Sequence, residues 1–257
     1  MIESVNPATG KPLSTYDLHT AEELDAALDA AAAAQARWRD KPLTERAALL
    51  HELARVLREG KAEYAALITA EMGKPLAESV AELEKCVVNC VHYAEHAAEY
   101  LAERRVLTQA VVVAEPLGVV LAVMPWNYPF WQFFRFAAPA LAAGNGAILK
   151  HATNVPGCAL AIEDVFRKAG SPRGLIRSLL VDVGEVERLI ADDRIAAVTL
   201  TGSTRVGALV ASQAGAALKK QVLGSAARTR TWCWPTPMSP PHGRPCGRDS
   251  STPGRAA

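Results

Sequence analysis

Gly118-Val119-Val120-Leu121-Ala122-Val123-Met124 runs directly into Pro125-Trp126-Asn127-Tyr128-Pro129, and this segment is the most informative about the fold. Seven uncharged residues, rich in valine, predict a strand that is buried on both faces. The two prolines end that strand, and an apolar helix is predicted over 130–143. A strand that is apolar throughout and is followed by a helix is typical of a parallel sheet.

The same alternation continues downstream of this stretch. Strands are predicted at 147–150, near 178–181 and at 196–200, and helices over 156–169, 184–191 and 205–216. A Val-rich run at 111–114 predicts one more strand upstream. The pattern indicates an α/β fold with a parallel sheet and flanking helices, in which ligands bind at the carboxyl ends of the strands.

Residues 21–103 predict helices instead of strands. The first covers 21–39 and begins at Thr20, which has Glu23 three residues later in a capping-box arrangement. Further helices are predicted over 44–59, 61–71 and 76–103. We therefore expect N-terminal helices ahead of the sheet.

Composition limits the possible classes of function. The 257 residues include 28 Lys plus Arg against 27 Asp plus Glu, and half of them are apolar. This balance favours a folded chain and gives no support to nucleic-acid binding. No apolar run is long enough for a membrane span, and the N-terminus lacks a signal-peptide pattern. Five scattered cysteines, an odd number, are typical of a reducing compartment, so we expect a soluble cytoplasmic protein.

The composition changes once, at residue 224. From there to residue 257 the chain has six Pro, five Arg and one Asp, and it has no Lys, Glu, Leu, Ile or Val. Thirty-four residues without a branched aliphatic side chain cannot close a core of their own. We therefore predict a disordered tail over 224–257.

Two glycine-containing turns differ in their interpretation. Thr201-Gly202-Ser203-Thr204 follows a predicted strand and precedes a predicted helix. Such a turn can present free N–H groups and a hydroxyl to a phosphate, or its serine can simply cap the helix, and the motif alone favours neither interpretation. Gly144-Asn145-Gly146 lacks a third glycine and precedes a strand, so we interpret it as a helix stop and turn.

Two polar side chains are predicted at the carboxyl ends of neighbouring strands. Asn127 could donate its amide N–H to a developing oxyanion, or it could form an Asx-turn within its own loop. Lys150 could bind ribose or phosphate there, or it could be a solvated surface lysine.

A metal site on the fourth helix is the less favoured interpretation of four residues. Cys86 and Cys90, like His92 and His96, are four residues apart. The cysteine pair and the histidine pair are rotated about 200° from each other on a helix. We therefore expect two buried thiols and two exposed imidazoles, and no metal.

In their order, these motifs resemble the aldehyde dehydrogenase superfamily. The resemblance extends from Asn6-Pro7-Ala8-Thr9-Gly10 through Glu71-Met72-Gly73-Lys74-Pro75, Pro125 to Pro129, Ala140 to Asn145, Lys150 and Thr201 to Thr204, and it stops at Leu223. Met124 to Trp131, followed by Lys150 to Pro156, is most similar to bacterial NADP-dependent succinate-semialdehyde dehydrogenases. The resemblance implies a Rossmann-like cofactor domain over 1–223 in a homo-oligomeric family.

The resemblance also implies roles for single residues. Asn127 would be the side-chain half of the oxyanion hole, and Arg135 would meet the substrate carboxylate, with a surface helix arginine as the alternative. Thr153 stands where NAD-preferring relatives have an acidic residue, and its lack of charge favours tolerance of NADP. Five residues would hold the rest of the dinucleotide. Lys150 would bind the adenosine ribose, Trp126 and Ser203 the pyrophosphate region, and Gly202 would allow close approach of the backbone. Pro125 is implied as a further cofactor-binding residue.

The remaining chemistry of the family is not found in the sequence. The base glutamate belongs to a Glu-Leu-Gly-Gly motif, but Leu223 is followed by Gly224-Ser225-Ala226-Ala227. Neither Cys233 nor Cys246 has the Gly-Gln-x-Cys setting of the nucleophile. Reading 228–239 in a shifted frame, with allowed codons, gives the family's Asp-Pro-Tyr-Val-Val-Leu-Ala-Asp-Ala-Asp-Val. A frameshift near 223–227 is therefore our hypothesis for the tail, and the catalytic domain would be absent.

Two functions follow from these observations. The first is an aldehyde dehydrogenase that oxidises a small aldehyde, succinate semialdehyde above all, with NADP or NAD. The second is a catalytically inactive fragment that at most binds dinucleotide. An aldehyde-dependent rise in NADPH absorbance separates the two.

Overall fold

The structure, a computed structural model, describes residues 1–225. The predictions for 226–257, including those for Cys233 and Cys246, lie outside the described residues. Helices and strands alternate in the second half of the described part, as the sequence predicts. The elements are β1 (Ile2–Val5), β2 (Pro12–Tyr16), α1 (Ala21–Arg39), α2 (Leu43–Glu59), α3 (Lys61–Met72), α4 (Leu76–Tyr100), β3 (Arg104–Leu107), β4 (Ala110–Val112), β5 (Val119–Met124), α5 (Pro129–Ala142), β6 (Gly146–His151), α6 (Pro156–Lys168), β7 (Ile176–Ser178), α7 (Glu185–Ala191), β8 (Ile195–Gly202), α8 (Thr204–Ala216) and β9 (Lys220–Ser225).

Five of the strands form one parallel sheet in the order β7-β6-β5-β8-β9. Strand β5 lies at the centre and pairs in parallel with β6 on one side and β8 on the other. Five of its six residues are buried, and the sixth, Val123, is half-buried. The predicted Rossmann-like parallel sheet with flanking helices is therefore confirmed.

Helices cover both faces of this sheet. On one face, α2, α4, α5 and α6 share a core with Phe130, Phe133, Phe134 and Phe166, all fully buried. Burying each phenylalanine contributes about 1.5–3 kcal/mol. On the other face, α1, α7 and α8 pack on Leu121, Val198 and Leu200. Helix α1 has the predicted capping box between Thr20 and Glu23, so the N-terminal helices are confirmed as well.

Two strand predictions need correction, and one hairpin was not predicted. The run at 111–114 is not part of the parallel sheet, because β4 covers Ala110–Val112 and pairs antiparallel with β3 in a separate hairpin. The strand expected at 178–181 lies at Ile176–Ser178. Leu179 follows the end of β7, but it is buried and still donates its N–H to the Leu149 carbonyl of β6. A buried apolar residue of this kind is predicted as part of a strand from sequence alone. The β1–β2 hairpin was missed because the residues of β2 are nearly all exposed.

Strand β9 was also missed by the sequence analysis. It is an edge strand paired with β8, and it continues through Gly224 and Ser225, two residues beyond the expected start of the tail. The Val222 side chain is 70% exposed, and Leu223 is exposed as well. An edge strand with exposed apolar residues has no clear alternation of polar and apolar side chains, which is the signal that sequence analysis uses.

None of the helices within residues 1–225 combines the length and the apolar character needed to cross a membrane.

Candidate functional site

The strand order creates a crevice at one end of the sheet. The chain proceeds from β5 to β6 and β7 on one side, and then returns to place β8 and β9 on the other side. Strands β5 and β8 are therefore neighbours at a topological switch point, where open α/β sheets bind their ligands. The turn after β5 carries Trp126 and Asn127, while β8 ends at Gly202 and is followed directly by Ser203.

The turn between β5 and α5 is open to solvent. Asn127 is exposed, and Trp126 is 48% exposed. Among residues 1–225, no hydrogen bond involves the Asn127 side chain, so the structure does not show the Asx-turn of the alternative interpretation. The Asn127 amide is thus available to a ligand.

Lys150 lies at the end of β6 and is buried. Burial lowers the pKa of its ammonium, an effect that the charge of Asp182 opposes. No oxygen within residues 1–225 accepts a hydrogen bond from its Nζ. Only the residue as a whole is nearly covered, at 6% exposure, and Lys150 Nζ is not one of the fully enclosed polar atoms that lack a partner. A largely covered lysine whose ammonium has no acceptor among these residues favours a position that meets an oxygen-rich ligand. Thr153, three residues later, is exposed on the loop before α6.

The Ser203 turn begins helix α8. The Ser203 Oγ accepts a hydrogen bond from the Val206 N–H at 3.3 Å, so this serine is an N-cap. The first N–H groups of α8 have no acceptor within the helix. The backbone at Gly202 borders open space, because a Cβ added there would have only Leu200 Cδ2 within 4 Å, at 3.7 Å. Capping and anion binding are compatible here, because the hydroxyl hydrogen of Ser203 remains free to donate.

The helices that follow β5 and β6 differ from α8 at their N-termini. The Glu82 carboxylate accepts from the N–H groups of Phe130 and Trp131 at the start of α5, at 2.8 and 2.9 Å. The Glu71 carboxylate accepts from those of Gly157 and Cys158 at the start of α6, at 2.8 and 2.7 Å. Both N-termini are therefore closed to a phosphate, whereas the start of α8 is exposed.

Arg135 lies on α5 and reaches the end of β8. Its Nη2 donates to Thr201 Oγ1 at 3.0 Å, and the residue is exposed. The same arginine lines an apolar groove of about 800 Å³ between α5, β8 and β9. Phe136, Val198 and Leu223 contribute to its walls. Arg135 can therefore be reached by a small anion.

The cysteines of the described part are not suited to nucleophilic chemistry. Cys86, Cys90 and Cys158 are free and buried. Burial raises the pKa of all three thiols, that of Cys90 to about 12. The prediction of two buried thiols on α4 is confirmed. Of the two histidines, His92 is exposed, while the His96 side chain is 41% exposed and pairs with Glu99.

His151 is a buried residue of the site region that no sequence pattern indicates. It is fully buried at the end of β6, and burial lowers its pKa to about 4, with a smaller contribution from the charge of Lys150. Its Nδ1 accepts from the Ala152 N–H at 2.9 Å, so the proton of the neutral ring is on Nε2. That Nε2 donates to the Pro129 carbonyl at 3.0 Å.

The Gly144-Asn145-Gly146 interpretation is confirmed. Gly144 ends α5 with φ +87°, a conformation that favours glycine. The Asn145 Oδ1 accepts from the N–H groups of Leu117 and Gly118, at 2.7 and 3.2 Å, and thereby fixes the entry to β5.

By its fold, the described part is a Rossmann-like α/β domain with an open crevice at a switch point of the sheet. The chain belongs to the aldehyde dehydrogenase family, since the model of the Aldehyde dehydrogenase family matches residues 1–230.

Several similar proteins are named as succinate-semialdehyde dehydrogenases. The "Probable succinate-semialdehyde dehydrogenase (NADP(+))" of Synechocystis sp. is 48% identical over 86% of this chain and 50% of its own length. The "Succinate semialdehyde dehydrogenase (NAD(P)+) Sad" of Escherichia coli is 47% identical over 86% of this chain and 48% of its own length. The crystal structure of succinic semialdehyde dehydrogenase from Streptococcus pyogenes in complex with NADP+ matches with a TM-score of 0.84 at 36% identity, covering 87% of this chain and 50% of that one. The chain spans about half the length of these relatives.

Proposed function

We propose that residues 1–223 are the cofactor-binding part of an aldehyde dehydrogenase that oxidises succinate semialdehyde with NADP(+). The observation that carries this proposal is Lys150, a nearly covered lysine at the carboxyl end of β6, beside β5, whose ammonium has no acceptor among the described residues. The NADP(+) named for the Synechocystis relative and bound in the Streptococcus structure supports the choice of cofactor.

The residues at the crevice fit a dinucleotide. Lys150 has no acceptor among the described residues, the start of α8 is open, and the space at Gly202 would admit a pyrophosphate. Pro125 and Trp126 border the same crevice from the β5 side. Thr153 carries no charge, so a 2′-phosphate would meet no carboxylate at that position.

Asn127 and Arg135 have separate roles in the proposed reaction. Asn127 donates its amide N–H to the oxygen of the aldehyde as negative charge develops there, a contribution of about 3 kcal/mol where such donors have been removed. Arg135 binds the distal carboxylate of the substrate, with Thr201 holding the guanidinium in place. When bound, NADP(+) supplies a hydride acceptor.

We assign the nucleophile and the base to the segment that follows the position of Leu223 in the longer members of the family. Cys86, Cys90 and Cys158 are excluded as nucleophiles by their burial and raised pKa. We therefore propose that the chain as written binds the dinucleotide without turning over an aldehyde. In the longer relatives, we propose, the second half of the protein covers the apolar groove beside β9.

Calorimetric titration with NADPH tests the proposal on the 257-residue chain. We expect binding, and we expect Lys150→Met to weaken it about 10- to 100-fold, because a charge-assisted hydrogen bond is worth about 1.5–3 kcal/mol. Lys41→Met is the matched control. Lys41 lies just before α2, is partly exposed and pairs with Glu45 on that helix. Absence of NADPH binding, or equal effects of the two substitutions, would contradict the proposal.

A further inference from the structure

The motif Glu71-Met72-Gly73-Lys74-Pro75 has no role in the function proposed above, and yet two of its side chains are buried and charged. Lys74 has its Nζ 2.5 Å from Glu82 Oε2, and both side chains are almost completely buried. The same ammonium lies over the ring of Tyr128, 3.7 Å from its centroid. Tyr128 is the residue that follows Asn127.

The second oxygen of Glu82 acts on the same segment. Glu82 Oε1 accepts from the N–H groups of Phe130 and Trp131, the first free donors of α5. Tyr128, the N-cap residue, makes no side-chain cap, so a carboxylate from α4 replaces the local cap. A negative charge at this position is stabilised by the positive end of the helix dipole.

A third contact comes from the neighbouring strand. His151 donates from Nε2 to the carbonyl of Pro129. Each of the four consecutive residues from Tyr128 to Trp131 is therefore held from outside its own segment, whereas Trp126 and Asn127 are left free to face the crevice.

The energetics of the pair also favour a positioning role. Burying two charges costs several kcal/mol per ion, and a well-packed apolar pair of similar volume is often at least as stable. The Lys74–Glu82 pair therefore does little for stability that apolar side chains could not do. What an apolar pair lacks is an acceptor for two N–H groups and a cation for the Tyr128 ring.

We propose that Lys74 and Glu82 are positioning residues, which fix the turn after β5 and thereby the placement of Trp126 and Asn127. The importance of this placement for catalysis rests on the proposed function, but the fixing itself is a property of the described chain.

The placement can be measured in the full 257-residue chain labelled with 5-fluorotryptophan. Each tryptophan gives its own ¹⁹F resonance, and Trp126→Phe identifies that of Trp126. We expect Glu82→Gln, and the charge-neutral double variant Lys74→Met/Glu82→Gln, to shift or broaden the Trp126 resonance while Trp38 stays unchanged. Trp38 is buried on α1 and is a reference for the intact core.

Glu71→Gln is the matched control variant. It removes the same charge from the same kind of helix cap, at α6 instead of α5. We expect it to leave the Trp126 resonance in place. An unmoved Trp126 resonance in the folded double variant, or an equal movement in Glu71→Gln, would overturn the proposal. The double variant keeps the test decisive if Glu82→Gln alone fails to fold.

A titration with NADPH distinguishes positioning from general loosening of the fold. Glu82→Gln should weaken NADPH binding at least fivefold, and it should have no further effect when Trp126 has already been replaced by Ala. A loss of the same factor in both backgrounds would mean that Glu82 acts by another route. If the unmodified chain binds no NADPH, the proposed function fails, while the ¹⁹F resonance still decides the positioning role.

Discussion

His151→Gln should flatten the dependence of stability on pH between 8 and 5. Burial lowers the pKa of His151 to about 4, against about 6.5 for an unfolded chain. Between these two pKa values, His151 is protonated in the unfolded chain but neutral in the folded chain. The free energy of unfolding therefore falls as the pH falls. The contribution of His151 is complete above pH 6.5 and is lost toward pH 4. With these two pKa values, the loss from pH 8 to pH 5 is about 2 kcal/mol.

Urea denaturation of the two chains across this pH range measures the effect. Glutamine has a similar size and can still donate to the Pro129 carbonyl, but it does not titrate. Every other ionisable group is shared, so its contribution cancels in the difference between the two curves. The stability difference between the chains should therefore change by about 2 kcal/mol, which corresponds to a Tm change of about 4–8 °C.

Parallel pH curves would refute this reasoning, because they would mean that His151 has the same pKa in the folded and unfolded chains. A direct check is the ring ¹H–¹³C signal of His151, which should show no titration above pH 5. A titration midpoint near 6.5 would show that the ring is not buried as described.

Three further predictions concern the proposed function. Thr153→Glu should weaken NADPH binding relative to NADH by about 10-fold or more, since a carboxylate near a 2′-phosphate costs about 1–4 kcal/mol at 4 Å, and an unchanged ratio in calorimetric titrations would argue against this position. In a chain completed with the second half of its relatives, Arg135→Ala should raise KM for succinate semialdehyde about 10- to 100-fold and leave an uncharged aldehyde nearly unaffected, because only the former loses a charge-assisted hydrogen bond. Equal effects on both aldehydes would contradict the carboxylate role. The 257-residue chain itself should produce no NADPH from succinate semialdehyde, and turnover by a sample whose intact mass matches this chain would overturn that expectation.

Local sequence patterns were sufficient to predict the class of fold and the edge of the sheet at which ligands bind, while the strand order that places the crevice between β5 and β8 came from the structure. The apolar runs 119–124 and 196–200 alternate with helices, a pattern typical of strands in a covered parallel sheet, and both lie in that sheet. The Val-rich run at 111–114 lacks that context and lies in a separate hairpin with exposed valines. Local rules also determined the capping box of α1 and the turn at Gly144, because each depends on residues that are close along the chain.

Which helix N-termini remain open to a ligand depends on contacts between elements that are distant in sequence. The starts of α5 and α6 resemble that of α8 as sites for an anion, but Glu82 and Glu71 close them from helices that lie 48 and 86 residues earlier. The same applies to His151, whose neutral state results from burial beneath a turn 22 residues away in sequence. Contacts over such distances depend on how elements pack, and no local pattern of residue types records them, so the positions of these charges could not be read from the sequence.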